Sequence, residues 1–197
     1  MQLSRTFWRN RNVLLTGHTG FKGAWMGIML GQLGARVTGI GLKPDKKIAL
    51  FNLINLQNNI KTYNFNICNQ FKLAKIIKDI KPSIVIHMAA QSLVRHSYNE
   101  PVETAQTNIM GTINLLEALR NLANFSSLLV VTSDKVYKND GTGEAFTEDN
   151  PLGGSDPYSA SKAATEIITS AWRQSFFEKS KASILTARAG NVIGGGD

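Results

Sequence analysis

Short runs of β-branched and other apolar residues alternate along the chain with longer segments of helical periodicity. Asn12–Thr16 reads as a buried strand, residues 21–33 as a helix that Gly34 stops, and residues 36–40 as a second strand. A weaker third strand over 60–65 leads to a helix, Gln70–Ile80, which ends ahead of Pro82. Residues 83–88 form a clear fourth strand, 101–122 a long helical segment and Ser127–Val131 a fifth strand. A helix over 157–177 and a sixth strand, Ser183–Ala187, complete the series. Strands separated by helices imply parallel pairing with both sheet faces covered. Right-handed crossovers then give an α/β fold, a doubly wound parallel sheet, with ligands outside the carboxyl ends of its strands.

No internal repeat or Pro/Gly/Ser-rich linker interrupts this pattern, so residues 1–197 are expected to form one domain. Composition supports a packed core: 43% of residues are hydrophobic and only 18% charged. The formal charge of +8 raises the question of nucleic acid, but Lys and Arg are scattered and form no Arg-rich stripe. No nucleic-acid partner is expected; the positive charge suits small anionic ligands instead. The apolar runs are too short to span a bilayer, residues 1–12 do not read as a signal peptide, and Cys68 is the single cysteine. A cytoplasmic protein without a membrane partner is the expectation. His18, His87 and His96 lack metal-ligand spacing, so no metal site is expected.

Candidate chemistry falls at the predicted strand ends. Gly17-His18-Thr19-Gly20-Phe21-Lys22-Gly23 follows the first strand and opens the first helix. Three glycines spaced three apart let the backbone turn sharply and approach a pyrophosphate, whose charge the helix N-terminus stabilises. With Thr16, the loop resembles the T-G-x-x-G-F-x-G of extended short-chain dehydrogenases/reductases, which carry a Rossmann fold. That family ends its second strand on an acidic residue; here Thr38-Gly39-Ile40-Gly41 has none. Asp45 comes later, among Lys43, Lys46 and Lys47, and these lysines either meet a 2′-phosphate or form a solvated basic loop. The choice between NAD and NADP therefore stays open on the residues alone.

Tyr158-Ser159-Ala160-Ser161-Lys162 is similar to the Y-x-x-x-K of the same family. Four residues apart on a helix, Tyr158 and Lys162 share one face, with Asp156 and Pro157 suited to the N-cap and first helical position. An ordinary phenol, with a pKa of about 10, is a poor base at neutral pH, and a neighbouring lysine cation favours its phenolate. The fifth strand runs out through Val131-Thr132-Ser133-Asp134-Lys135. Ser133 stands where the family bonds a substrate hydroxyl. Nucleotide-sugar 4,6-dehydratases carry Thr-Asp-Glu here, and Asp134-Lys135 resembles the variant found in the branch acting on CDP-glucose. A solvent-facing ion pair is the alternative reading.

The resemblance runs nearly end to end, through His87-Met88-Ala89-Ala90-Gln91, Thr107-Asn108-Ile109-Met110-Gly111-Thr112 and Ala187-Arg188-Ala189-Gly190-Asn191. It implies NAD as cofactor, held by Gly17, His18, Thr19, Gly20, Phe21, Lys22 and Gly23. Asn66 and Ile67 would lie beside the adenine, with Ala89, Ala90, Gln91, Tyr158 and Lys162 further along. It implies CDP-glucose as the partner molecule, with Gln91, Ser92, Arg95 and Asn191 as substrate contacts and Tyr98 a further candidate. Ser133, Asp134, Lys135, Tyr158 and Lys162 would be catalytic. Tyr158 would take the 4-hydroxyl proton, Lys135 would help remove the C5 proton or stabilise the enolate, and Asp134 would protonate the departing 6-hydroxyl. Asn108 would be structural and His87 packed. Such an enzyme continues past Gly194-Gly195-Gly196-Asp197 into a last strand and a domain that grips the substrate. This chain is thus expected to be a Rossmann portion truncated before the substrate domain, and a homo-oligomer when full length. An epimerase of the same fold and a non-catalytic NAD-binding fragment are the rival readings.

Overall fold

The computed structural model describes residues 4–44, 49–120, 122–123, 125–143 and 145–196. Its elements, in chain order, are α1 (Arg5–Trp8), β1 (Asn12–Thr16), α2 (Phe21–Gln32), β2 (Arg36–Gly41), α3 (Leu50–Leu53), β3 (Lys61–Asn64), α4 (Gln70–Ile80), β4 (Ile84–His87), α5 (Val94–Asn99), α6 (Pro101–Ala105), α7 (Gly111–Arg120), β5 (Ser127–Val131), α8 (Pro157–Trp172) and β6 (Ser183–Ala187). All strand pairs are parallel and the order is β3-β2-β1-β4-β5-β6. The order reverses between β1 and β4, which opens a crevice at the carboxyl ends of those two strands.

Alternation along the strands sorts the core into two layers. Val13 and Leu15 of β1, with Ile84 and Ile86 of β4, pack against α2 and α3 through Ala24, Leu30 and Phe51. Leu14, Val85, Leu128 and Val130 face the opposite way, onto α4 and α7 through Leu73, Ile77, Leu115 and Leu119. Local signals set the helix ends. Asn69 accepts a hydrogen bond from the Lys72 amide at the start of α4, and Lys81 in the left-handed region closes it before Pro82. The covering is incomplete over the last two strands among the described residues: Leu129 and Val131 stay half-buried and Leu185 is 52% exposed.

Two features differ from the sequence pattern. The segment after β4 forms α5, and the long helical segment behind it is divided. α6 passes through a π-turn, Gln106–Met110, before α7. Tertiary bonds hold the π-turn, since both Thr112 Oγ1 and Thr165 Oγ1 donate to the Asn108 carbonyl. The helix over α8 likewise ends in a π-turn, Arg173–Phe177.

Candidate functional site

A cleft of about 480 Å³ lies at the β1/β4 crevice, in the size range of cofactor and ligand sites. The glycine loop forms one wall. Gly17 takes a positive φ of 75°, and a Cβ there would sit 2.7 Å from the Met88 backbone. A Cβ on Gly23 would lie 2.0 Å from the Gly17 carbonyl oxygen, so loop and helix touch backbone to backbone. Gly20, the N-cap of α2, differs: it has extended backbone, and a Cβ would meet only the Gly17 oxygen at 3.4 Å. No acidic residue occupies the first turn of α2, and Lys22 in that turn lines the cleft. A cation beside the positive end of a helix is unfavourable by itself and favourable once an anion lies between them.

The opposite wall comes from β5 and α8. Asp156 caps α8 by accepting from the Tyr158 and Ser159 amides, Ser159 returns the capping box, and Pro157 takes the first position. Tyr158 is buried and lines the cleft. Lys162, one turn on, is also buried, and its Nζ donates to the Val131 carbonyl at the end of β5, 3.2 Å away. Burial pulls the Lys162 ammonium down to about 8, helped by repulsion from Lys22 and opposed by Glu166. Ser133 is buried, accepts from the Lys135 amide and donates to Asp134. Asp134 and Lys135 line the cleft as an ion pair at 3.4 Å, with side chains 53% and 44% exposed.

A buried polar scaffold ties the walls together. Thr16 Oγ1 accepts from the Met88 and Ala89 amides and donates to His87 Nδ1 at 2.6 Å. Thr112 Oγ1, already donating to the Asn108 carbonyl, receives His87 Nε2–H at 3.0 Å. This network selects the neutral Nε2–H tautomer, and burial, reinforced by Lys162, lowers the imidazole to about 3. His87 is packed between β1 and α7, as the sequence suggested. Asn108 donates to the Gln91 carbonyl and to Ser161 on α8, and accepts from the Gln91 amide. It thereby fixes the end of β4 against the Tyr158 helix.

Most of the residues expected at the site come together. Gly17, Thr19, Gly20, Phe21, Lys22, Gly23, Asn66, Ile67, Ala89, Ala90, Ser92, Ser133, Asp134, Lys135, Tyr158 and Asn191 all line the cleft. Five others do not. His18 turns under β2, where Gly39 and Gly41 leave room for its ring and Phe51 meets it edge-on at 5.2 Å. Neither of its ring nitrogens has a hydrogen-bond partner among the described residues, and burial lowers its pKa, the Ile40 backbone opposing. The Gln91 side chain is used within its own loop, bonding Leu93 and Thr104. Arg95 and Tyr98 fall on α5 and are exposed outside the cleft lining, because on that helix Val94 faces the cleft and Ser97 is the residue buried in the core. Lys162 sits beneath the lining, held by β5. Asp45, Lys46, Lys47 and Asp197 lie outside the described residues, while Lys43 is exposed just after β2. Lining residues that the sequence did not single out include Phe65, Thr107 and Val192. Each is apolar or small, with no chemical signal of its own. The described residues hold no cluster of metal-binding side chains, and none of their helices is long and apolar enough to cross a membrane.

The comparisons with known proteins agree with this geometry. The solved UDP-glucose 4-epimerase of Thermotoga maritima with UDP-glucose superposes with a TM-score of 0.82 at 25% identity, over 93% of this chain and 56% of that one. The Thermus thermophilus UDP-glucose 4-epimerase complex with NAD gives 0.77 at 27% identity, over 90% and 54%. In sequence, the CDP-glucose 4,6-dehydratase of Salmonella typhimurium is 42% identical over 200 residues, covering 99% of this chain and 56% of that protein. The dTDP-glucose 4,6-dehydratase of Neisseria meningitidis is 32% identical, covering 84% and 50%. The chain spans about half the length of these relatives. The model of the GDP-mannose 4,6 dehydratase family matches residues 14–192, from the middle of β1 to the loop beyond β6, and the chain belongs to that family.

Proposed function

We propose that the chain is the dinucleotide-binding and catalytic half of a nucleotide-sugar 4,6-dehydratase, with NAD as cofactor and CDP-glucose as substrate. The observation that carries this reading is the presence of Asp134 and Lys135 in one cleft with Tyr158 and the glycine loop. The similarity to the Salmonella CDP-glucose enzyme supports the choice of sugar nucleotide. The residues present fit a dinucleotide. Gly20 leaves its side of the loop open towards the cleft, Lys22 and the α2 N-terminus offer positive charge, and Asn66 and Ile67 line the far end. The glycine loop with Lys22, Asn66 and Ile67 would hold NAD there, and it would supply reversible hydride-acceptor chemistry beside the sugar.

The chain's own residues supply the rest. Tyr158 takes the proton of the 4-hydroxyl as a phenolate, the form that the Lys162 cation beneath it favours, and becomes the neutral phenol. Ser133 orients that hydroxyl. The 4-keto group acidifies C5–H; Asp134 hands a proton to the 6-hydroxyl, which leaves as water. A lysine acts as a base only when neutral, and burial promotes that state. Lys135 is half exposed and paired with Asp134; passing its proton to Asp134, rather than burial, leaves a neutral amine that takes the C5 proton while Asp134 protonates the 6-hydroxyl, and the ammonium so re-formed holds the negative charge of the enolate. The UDP-glucose epimerases that share the fold favour a second reading, sugar epimerisation. That reaction expels no hydroxyl and leaves Asp134 without a task. The substrate nucleotide would be gripped mainly by a region outside residues 1–197.

The experiment is incubation with CDP-glucose and NAD of a protein carrying these residues at the full length of the relatives. Formation of a 4-keto-6-deoxy sugar supports the dehydratase. A C4-epimeric sugar that retains its 6-hydroxyl would replace it with the epimerase.

A further inference from the structure

Among the described residues, a buried carboxylate outside the cleft lining sits on the Tyr158–Lys162 helix. Glu166, one turn beyond Lys162, is 5% exposed. Its Oε1 accepts from Thr132 Oγ1, at the end of β5, and its Oε2 accepts from Thr186 Oγ1 on β6 at 2.8 Å. Arg188, just past β6, completes the set at 3.3 Å with its side chain 18% exposed. The same guanidinium lies 4.8 Å over the Tyr137 ring and donates to the Glu148 carbonyl, so it also pins the loop after β5. An ion pair removed from water is weak evidence for stability, because desolvating both charges offsets most of their attraction. Three elements nonetheless converge on this carboxylate, and Ser133 and Asp134 follow directly on Thr132.

We propose that Glu166 is a positioning residue, which with Arg188 seats the Ser133–Asp134 strand end against α8 and acts as counter-ion to Lys162. The inference rests on the proposed dehydratase reading for its purpose, and its test does not need turnover. The charged and titratable groups around Lys162 are Lys22 from α2, His87 from β4, and Tyr158 and Glu166 from α8 itself. His87 is neutral. Among the described residues Glu166 is therefore the one carboxylate that acts on the Lys162 ammonium, and Arg188 competes for it.

Lysine side chains labelled with ¹³C at Cε report their ionisation by NMR, with the Lys162 signal assigned from its loss in Lys162→Arg. In the parent chain Lys162 should titrate near 8. Glu166→Gln keeps an acceptor for the threonines but removes the charge, and should move that midpoint down by roughly 1 unit. Thr186→Val loosens the same clamp without touching charge; it should lower the melting temperature and leave the midpoint in place. Should Glu166→Gln fail to fold, Arg188→Gln tests the point with opposite sign, since an uncontested carboxylate raises the midpoint. An unchanged midpoint in folded Glu166→Gln, or in Arg188→Gln where it must serve instead, overturns the inference. Calorimetry with NAD separates this from the wider reading: a parent that binds no NAD removes the dinucleotide site, whatever the lysine titration shows.

Discussion

Three glycines share one loop, yet the structure gives them different tasks, and substitutions should separate those tasks. At Gly20 the backbone is extended, with φ −78° and ψ 168°, and a Cβ meets nothing closer than 3.4 Å. Threonine is at home there, as a good N-cap residue for α2. Gly20→Thr should therefore change folding stability by no more than about 1 kcal/mol, or roughly 2–4 °C in melting temperature for a chain of this size. Its added atoms extend into the cleft, where a pyrophosphate would have to press against the loop. NAD affinity should fall at least tenfold, about 1.4 kcal/mol. At Gly23 a Cβ would stand 2.0 Å from the Gly17 oxygen and 2.8 Å from His18 Cα, both backbone atoms that no rotamer change can move aside. Gly23→Ala should cost about 1–3 kcal/mol of stability or more and lose binding only as a consequence. Thermal unfolding and calorimetric NAD titration, run on both variants and the parent, decide the matter. Parental NAD affinity in Gly20→Thr would refute the placement of the pyrophosphate. Equal destabilisation by the two variants would refute the division of labour in the loop.

Four further outcomes follow from the same geometry. In a protein extended to the relatives' full length, Tyr158→Phe should abolish NADH absorbance in a single turnover with CDP-glucose while leaving NAD binding intact. Asp134→Asn in that protein should still allow C4 oxidation but slow loss of the 6-hydroxyl, and unchanged overall turnover would contradict its role as proton donor. His87 is held neutral down to about 3, whereas an unfolded histidine titrates near 6.5. The unfolded state therefore binds the extra proton between those values, so stability is complete above about pH 6.5 and falls with acidification by about 1.4 kcal/mol per pH unit. Denaturant melts from pH 7 to pH 4 should show that slope, steepened by His18; a flat profile would mean that these rings take up protons without unfolding. Residues 1–197 alone should bind NAD and form no 4-keto sugar, because orientation supplies about 7–11 kcal/mol of such a barrier and much of it comes from remote contacts to the substrate. Turnover equal to that of the extended protein would place the substrate grip inside this chain.

What the sequence disclosed and what it withheld divide along a physical line. The six strands, α4 and the capped start of α8 were legible because their signals are local: an apolar run, an Asn or Asp at the N-cap, a proline in place. α5 was not, since neither a capping side chain nor an apolar stripe marks Val94–Asn99. The π-turn at Gln106–Met110 was equally hidden, as hydroxyls arriving from one turn ahead and from α8 hold it. The same division runs through the site. Tyr158 and Lys162 could be paired by spacing alone, but their unlike fates could not, because β5 draws Lys162 beneath the surface that Tyr158 lines. His18 looked like a cofactor contact because it stands between two functional glycines. The space that takes its ring is made by Gly39 and Gly41 on another strand, a relation across the sheet. Glu166 had a faint local mark, its position four residues after Lys162 on the same helix face. Such a pair usually signals a solvated surface; only the threonines of β5 and β6 and the cation of Arg188 turn it into a buried clamp. Residues that meet the cleft through their own backbone turn are therefore readable from the chain. Residues that hold the cleft in shape are readable only once the sheet has brought their partners together.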